Sequence, residues 1–347
     1  MSPSEVCRVA EVVMAEDYAK FDFWRNYMNS WDIAASNLTS VGVLTFVFGF
    51  IAARIKSDVR LPDAIYQFLT VYLLFGIGLK GGHSLKSTSF SELFVPSVTT
   101  IALGLLIPFI AFYLLSFIRV LNYVDRGSIA AHYGSTSLVT FSAGILFLES
   151  NSIVIEGFAP ALLTLLEIPG LIVGIYLASR KSAIQVSWGV TFKEVLLGKT
   201  VLLLLGGLVI GFATTQEGYE KVSPFFVALL NGFLVLFLLH LGYMAGANFR
   251  EVINVGAPLA IFGIVFPILS GAIGVLAGSL IGLSVGGATV LGLLCASASY
   301  IAAPAAVSVA LPQASPTLAL TTSIGITFPF NLIVGIPLYY KFAQLFG

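Results

Sequence analysis

From residue 37 to residue 346 the chain is nearly a continuous series of apolar runs separated by short polar interruptions. The runs lie at about 37–55, 61–79, 95–118, 127–148, 154–178, 197–215, 223–244, 255–281, 285–310 and 315–346. A bilayer core of about 30 Å takes roughly 20 apolar residues of helix, so every run is long enough to cross. Strands would alternate in polarity, and these runs do not; open strand edges could not be satisfied in lipid in any case. Only 10% of the 347 residues are charged, too few for a water-facing surface, which carries about 25%. The expectation is an all-α integral membrane protein with about ten transmembrane helices.

Residues 1–34 differ in kind. "AEDYAKFDFWRNYMNSWD" mixes acids with aromatic rings, which suits an interfacial or flexible N-terminal segment. No basic stretch precedes an apolar core there, so no cleavable signal is expected, and the first span must target the chain itself. Net charge is zero, with 17 basic and 17 acidic residues and no basic patch, so nucleic acid is not an expected partner. Cys7 and Cys295 lie in dissimilar surroundings and show no metal spacing. With ten spans, one side holds seven Lys and Arg, three of them in the leader, and the other holds ten. The excess of basic residues predicts a plasma (inner) membrane protein with both termini extracytoplasmic.

The chain also repeats itself. "LFGIGLKGG" (74–82) resembles "LLHLGYMAG" (238–246), with Gly78 and Gly82 matching Gly242 and Gly246 at an offset of 164. "GLIVGIYL" (170–177) resembles "NLIVGIPL" (331–338) at an offset of 161. The repeat divides the chain into a first five-helix unit (35–180), a short cytoplasmic linker (181–196) and a second five-helix unit (197–347). Five spans per unit send the two halves through the membrane in opposite directions. This 5+5 inverted-topology repeat is the architecture of many secondary transporters, whose sites lie near the midplane at interrupted helices.

The fourth and ninth spans carry the signs of interruption. "GSTSLVTFSAGILFLES" (134–150) falls opposite "SASYIAAPAAVSVALPQ" (297–313), with Gly134 and Pro304 as candidate break positions. Free N–H groups at a broken end attract anions, and Ser135, Ser137, Thr140, Ser297, Ser299 and Tyr300 would complete a shell for a small anionic substrate. Carbonyl and hydroxyl oxygens also suit sodium. A lone serine in an apolar helix ordinarily bonds its own turn; two matched clusters argue for a site. Glu167, followed by Pro169, is an acid inside a span, which by default marks a functional position. Glu167 and Ser299 are the candidates for sodium or proton coupling.

Other polar residues are weaker candidates. His132 and His240 read as packing residues, and Asn231, Asn248 and Asn331 as liners. A remote alternative makes Ser135 or Ser137 the nucleophile of an intramembrane hydrolase with one of those histidines.

"GIGLKGG", "HYGSTSLVTF", "FAPALLTLLEIPG", "SASYIAAPAAVSVALPQASPTL" and "TSIGITFPFNLIVGIPLYY" resemble the sodium-dependent bicarbonate transporter family of cyanobacteria and other bacteria, over roughly residues 37–347. The resemblance implies a trimer that imports bicarbonate with Na+ as coupling ion, with no other cofactor, through core and gate domains moving as an elevator. It places the substrate at Ser135, Ser137, Thr140, Ser297 and Ser299. Glu167 falls where the cyanobacterial pattern has an aspartate. Tyr300 stands where that pattern has a second acid, and Ala302-Ala303-Pro304-Ala305 replaces a Ser-Gly-Pro-Pro segment. A PII-like regulator is known in the cyanobacterial branch, whose cytoplasmic linker is long; the loop at 179–196 is short. Another small monocarboxylate or inorganic anion is the alternative substrate.

Overall fold

The computed structural model describes residues 35–180 and 186–347. The interfacial segment at 1–34 and the first part of the linker lie outside the described residues. The described residues form helices and no strand: α1 (Val41–Arg54), α2 (Asp63–Ser84), α3 (Phe90–Leu115), α4 (Tyr123–Gly134), α5 (Leu138–Ser150), α6 (Ala159–Ser179), α7 (Trp188–Leu197) and α8 (Lys199–Ala213). There follow α9 (Gln216–Ala247), α10 (Phe249–Asn254), α11 (Ala257–Leu280), α12 (Val285–Ala296), α13 (Ala302–Ala310) and α14 (Pro316–Phe346). π-Turns interrupt α9 at Pro224–Ala228 and α14 at Ser323–Thr327 and Asn331–Gly335. Short polar side chains start several helices: Ser89 and Glu92 form a capping box on α3, while Asn122, Ser137 and Ser284 cap α4, α5 and α12.

Among the described residues, six helices are long and apolar enough to cross a membrane, and a seventh if α7 and α8, bent by 49° at Gly198, count as one span. The other three runs fall short for identifiable reasons. The helix in the first run has only 14 residues, and the fourth and ninth runs are each divided into two short helices. The linker is also less bare than expected, since Trp188–Leu197 is helical.

Glycine determines which helices touch. Helix α1 packs along α9 and α2 along α8, so the first helix of each half lies against the second of the other. Gly78 and Gly82 bring α2 onto the carbonyls of Leu204 and Leu208; Gly242 and Gly246 bring α9 onto those of Phe46 and Phe50. A Cβ at any of the four would overlap backbone, so the glycines matched by the repeat serve the same kind of contact. Helices α3, α4 and α6 pack on one another, as do α11, α12 and α14. Large apolar side chains such as Phe48, Phe94, Leu105, Val209, Ile261 and Val265 are exposed, a surface that lipid covers and water would not.

Candidate functional site

Two helix breaks meet inside the molecule. Helix α4 ends at Gly134 and α5 begins at Leu138; α12 ends at Ala296 and α13 begins at Ala302. Ser135 and Ser297, the first residues after each end, are extended. Serine hydroxyls tie the first turns of the helices that resume: Ser137, the N-cap of α5, accepts from Thr140 N–H at 3.2 Å, and Ser299, two residues before the α13 N-cap Ile301, accepts from Ala303 N–H at 3.1 Å. Pro304 is the third residue of α13, in the first turn, where no intrahelical N–H is needed.

The breaks are bonded to each other. Ser297 Oγ accepts from Ser137 N–H at 2.9 Å and lies 2.9 Å from Thr136 Oγ1. Its own proton goes to Leu294 O at 3.0 Å, so Thr136 is the donor of that pair. Ser299 N–H donates to His132 O at 2.8 Å. Packing closes the helix ends from behind. Gly170 of α6 lies against the Gly134 carbonyl, while Asn331 of α14 donates to Ala296 O at 2.8 Å and accepts from Tyr339 Oη at 3.0 Å.

Within this frame several polar groups have no use for the fold. Ser135 Oγ, 1% exposed as a residue, makes no hydrogen bond among the described residues. Tyr300 Oη makes no hydrogen bond among the described residues, and its ring meets Phe328 edge-on at 5.8 Å. Glu167, 2% exposed, lies one turn before Gly170 on α6, and its carboxylate has no partner among the described residues. An unpaired acid in such a place is costly. No group of three or more His, Cys, Asp or Glu side chains capable of holding a metal occurs among the described residues.

A family model described as the Na+-dependent bicarbonate transporter superfamily matches residues 42–344. The chain belongs to that superfamily. Among curated proteins, no relative matches it.

For a member of this transporter superfamily, the geometry separates the sequence candidates. Ser135, Ser137, Ser297, Ser299 and Tyr300 come together at the breaks, with Thr140 in the first turn of α5. Ser142, farther along α5, gives its proton to Leu138 O of its own turn. His132 Nδ1 bonds Ser128 O at 2.8 Å and His240 stacks on Tyr66. Neither histidine bonds Ser135 or Ser137, so the hydrolase reading has no nucleophile–base pair. Sequence reasoning missed Thr136 as the bridge to Ser297. It named Asn331 only as a liner, although the 161-residue offset already set it opposite Gly170.

Proposed function

We propose that this superfamily member is a Na+-coupled importer of a small anion, bicarbonate first, working by alternating access. The observation that carries this reading is the pair of mutually bonded helix breaks with spare buried hydroxyls at Ser135 and Tyr300. One half supplies each wall. Ser135, Ser137, Thr140, Ser297, Ser299 and Tyr300 bind the oxyanion, helped by the N-terminal dipoles of α5 and α13. Glu167 and Ser299 hold sodium.

The architecture proposed is ten spans in a 5+5 inverted repeat. α4/α5 and α12/α13 are the interrupted spans, α7/α8 counts as one span, and the short α1 is the first. The crossed pairs α1·α9 and α2·α8 support it, as do the two similar three-helix groups. The crossed pairs form the gate, and the two three-helix groups form the core that carries the site past it. Coupling follows from charge. A bare anion beside Glu167 puts two negative charges in a low-dielectric site, which opposes movement; sodium removes that penalty. Both termini are placed outside, the membrane is the plasma membrane, and the assembly is a trimer.

Purified protein in proteoliposomes is expected to take up labelled bicarbonate only with an inward sodium gradient. Absence of that uptake overturns the reading. Sodium-driven uptake of formate or nitrate instead establishes the alternative substrate.

A further inference from the structure

Asp125, Ser128 and His132 follow one another at three- and four-residue steps, the spacing of a single helix face, and Ser135 is the extended residue just beyond the end of that helix. All four are buried. Asp125, in the first turn of α4, accepts from Asn122 Nδ2 and from Ser315 N–H at 2.7 Å. Toward the break the stripe is polar but unpaired. Ser128 Oγ, His132 Nε2 and Ser135 Oγ have no hydrogen-bond partner among the described residues. The ordinary fate of a serine in an apolar helix is a bond to the carbonyl four residues back. Ser142, Ser270 and Ser323 of this chain make that bond; Ser128 does not. A carbonyl only accepts, so the His132 nitrogen facing Ser128 O carries the proton, which leaves Nε2 a bare acceptor.

The second half shows what the same helix looks like without this stripe. Asn122 and Ser284 cap α4 and α12, and Gly134 and Ala296 end them, both 162 residues apart. At that offset Asp125, Ser128 and His132 correspond to Gly287, Val290 and Leu294. A carboxylate is present in both places, because Glu156 reaches over Gly287 and accepts from Ser284 N–H at 2.6 Å. End-tying therefore accounts for Asp125 in the first half and leaves Ser128 and His132 without a structural reason. Apolar side chains fill the equivalent face of α12 with no unpaired group.

We propose that the face of α4 bearing Asp125, Ser128 and His132, continued by Ser135 at the break, is one wall of a water passage, closed in this structure, between the paired breaks and the aqueous side at the α4 N-terminus. Two hydrogen bonds fasten it, Asp125 to Ser315 at the outer end and His132 O to Ser299 N–H at the inner end. When the segment from Ser299 to Ser315 moves away, water satisfies the three idle groups, which favours the open form. The α12 face gains nothing by opening, so the passage belongs to one side of the membrane.

The inference takes from the proposed function only that the paired breaks are the site, and its tests do not read transport. In a C7S/C295A background, S128C is compared with V290C in vesicles of both orientations, using a small membrane-impermeant methanethiosulfonate. S128C is expected to react roughly tenfold faster than V290C, and only from the α4 N-terminal side (a tenfold ratio being about 1.4 kcal/mol). Hydroxyl-radical footprinting of the wild-type protein is expected to oxidise His132 well above the fully buried Tyr339. S128C reacting no faster than V290C, or His132 as inert as Tyr339, overturns the passage. A protein that takes up neither bicarbonate nor formate nor nitrate with sodium yet passes both tests refutes the transport reading and keeps the passage.

Discussion

Gly170 and Asn331 hold equivalent places 161 residues apart, yet they close their broken spans by different chemistry. In the first half the backbone of α6 touches the end of α4, glycine against the Gly134 carbonyl. In the second half a side chain bridges the gap, as Asn331 bonds Ala296 O and is itself held by Tyr339. Three residues upstream the contrast continues: the unpaired Glu167 corresponds to Phe328, which packs on Phe46 and Tyr300. One half closes by close approach and keeps its acid idle. The other commits its polar groups to holding itself together.

Exchanging the two solutions breaks the comparison most severely. In Gly170→Asn the new Cβ overlaps the Gly134 carbonyl, and both partners are backbone. The expected cost exceeds about 3 kcal/mol, the upper part of the usual overpacking range, and size-exclusion chromatography should show no monodisperse protein. Asn331→Gly leaves the Tyr339 hydroxyl unpaired and should cost about 1–3 kcal/mol, read as a lowered Tm of protein that still folds. If Gly170→Asn folds like wild type, the close approach does not hold the first half shut.

The next largest effect concerns the idle acid. Glu167→Gln keeps the shape and removes the charge, so sodium should no longer stimulate uptake, with the rate falling at least roughly tenfold, about 1.4 kcal/mol. Glu167→Asp should retain part of the sodium response. An unchanged sodium dependence in Glu167→Gln would move the coupling site elsewhere.

These contrasts were only partly legible in the sequence. The apolar runs announced a helical membrane protein because length and hydropathy alone decide that in lipid. Gly78, Gly82, Gly242 and Gly246 stood out in the sequence because a glycine that admits a neighbouring backbone leaves a sequence mark. Clustered hydroxyls marked both breaks. What stayed hidden was which hydroxyl is spent and which is spare, since that depends on partners far along the chain: Thr136 meets Ser297, and Ser299 meets His132 O. The helical stretch at Trp188–Leu197 was also missed, because its polar interruptions read as a linker.

Ser135 and Ser297, another equivalent pair, sharpen the comparison. Ser297→Ala removes the acceptor of Ser137 N–H and the partner of Thr136, leaving a buried donor unpaired at about 1–3 kcal/mol. A fall in Tm should accompany a raised KM. Ser135 Oγ holds nothing, so Ser135→Ala should raise KM with Tm unchanged. Equal Tm losses in the two variants would mean that the spare hydroxyl is structural after all.

The smallest structural effect belongs to Tyr300. Its hydroxyl is buried and unbonded, so Tyr300→Phe removes a group that contributes nothing to the fold while keeping the ring on Phe328. Stability should hold or rise slightly, because deleting an unsatisfied polar atom removes its desolvation penalty. If that hydroxyl instead waits for the anion, the loss shows only with substrate present, since a hydrogen bond to a charged group is worth about 1.5–3 kcal/mol. KM should then rise roughly tenfold or more, while sodium dependence persists. A Tyr300→Phe variant with wild-type KM would take Tyr300 out of the site and leave Ser135 as the idle hydroxyl at the breaks.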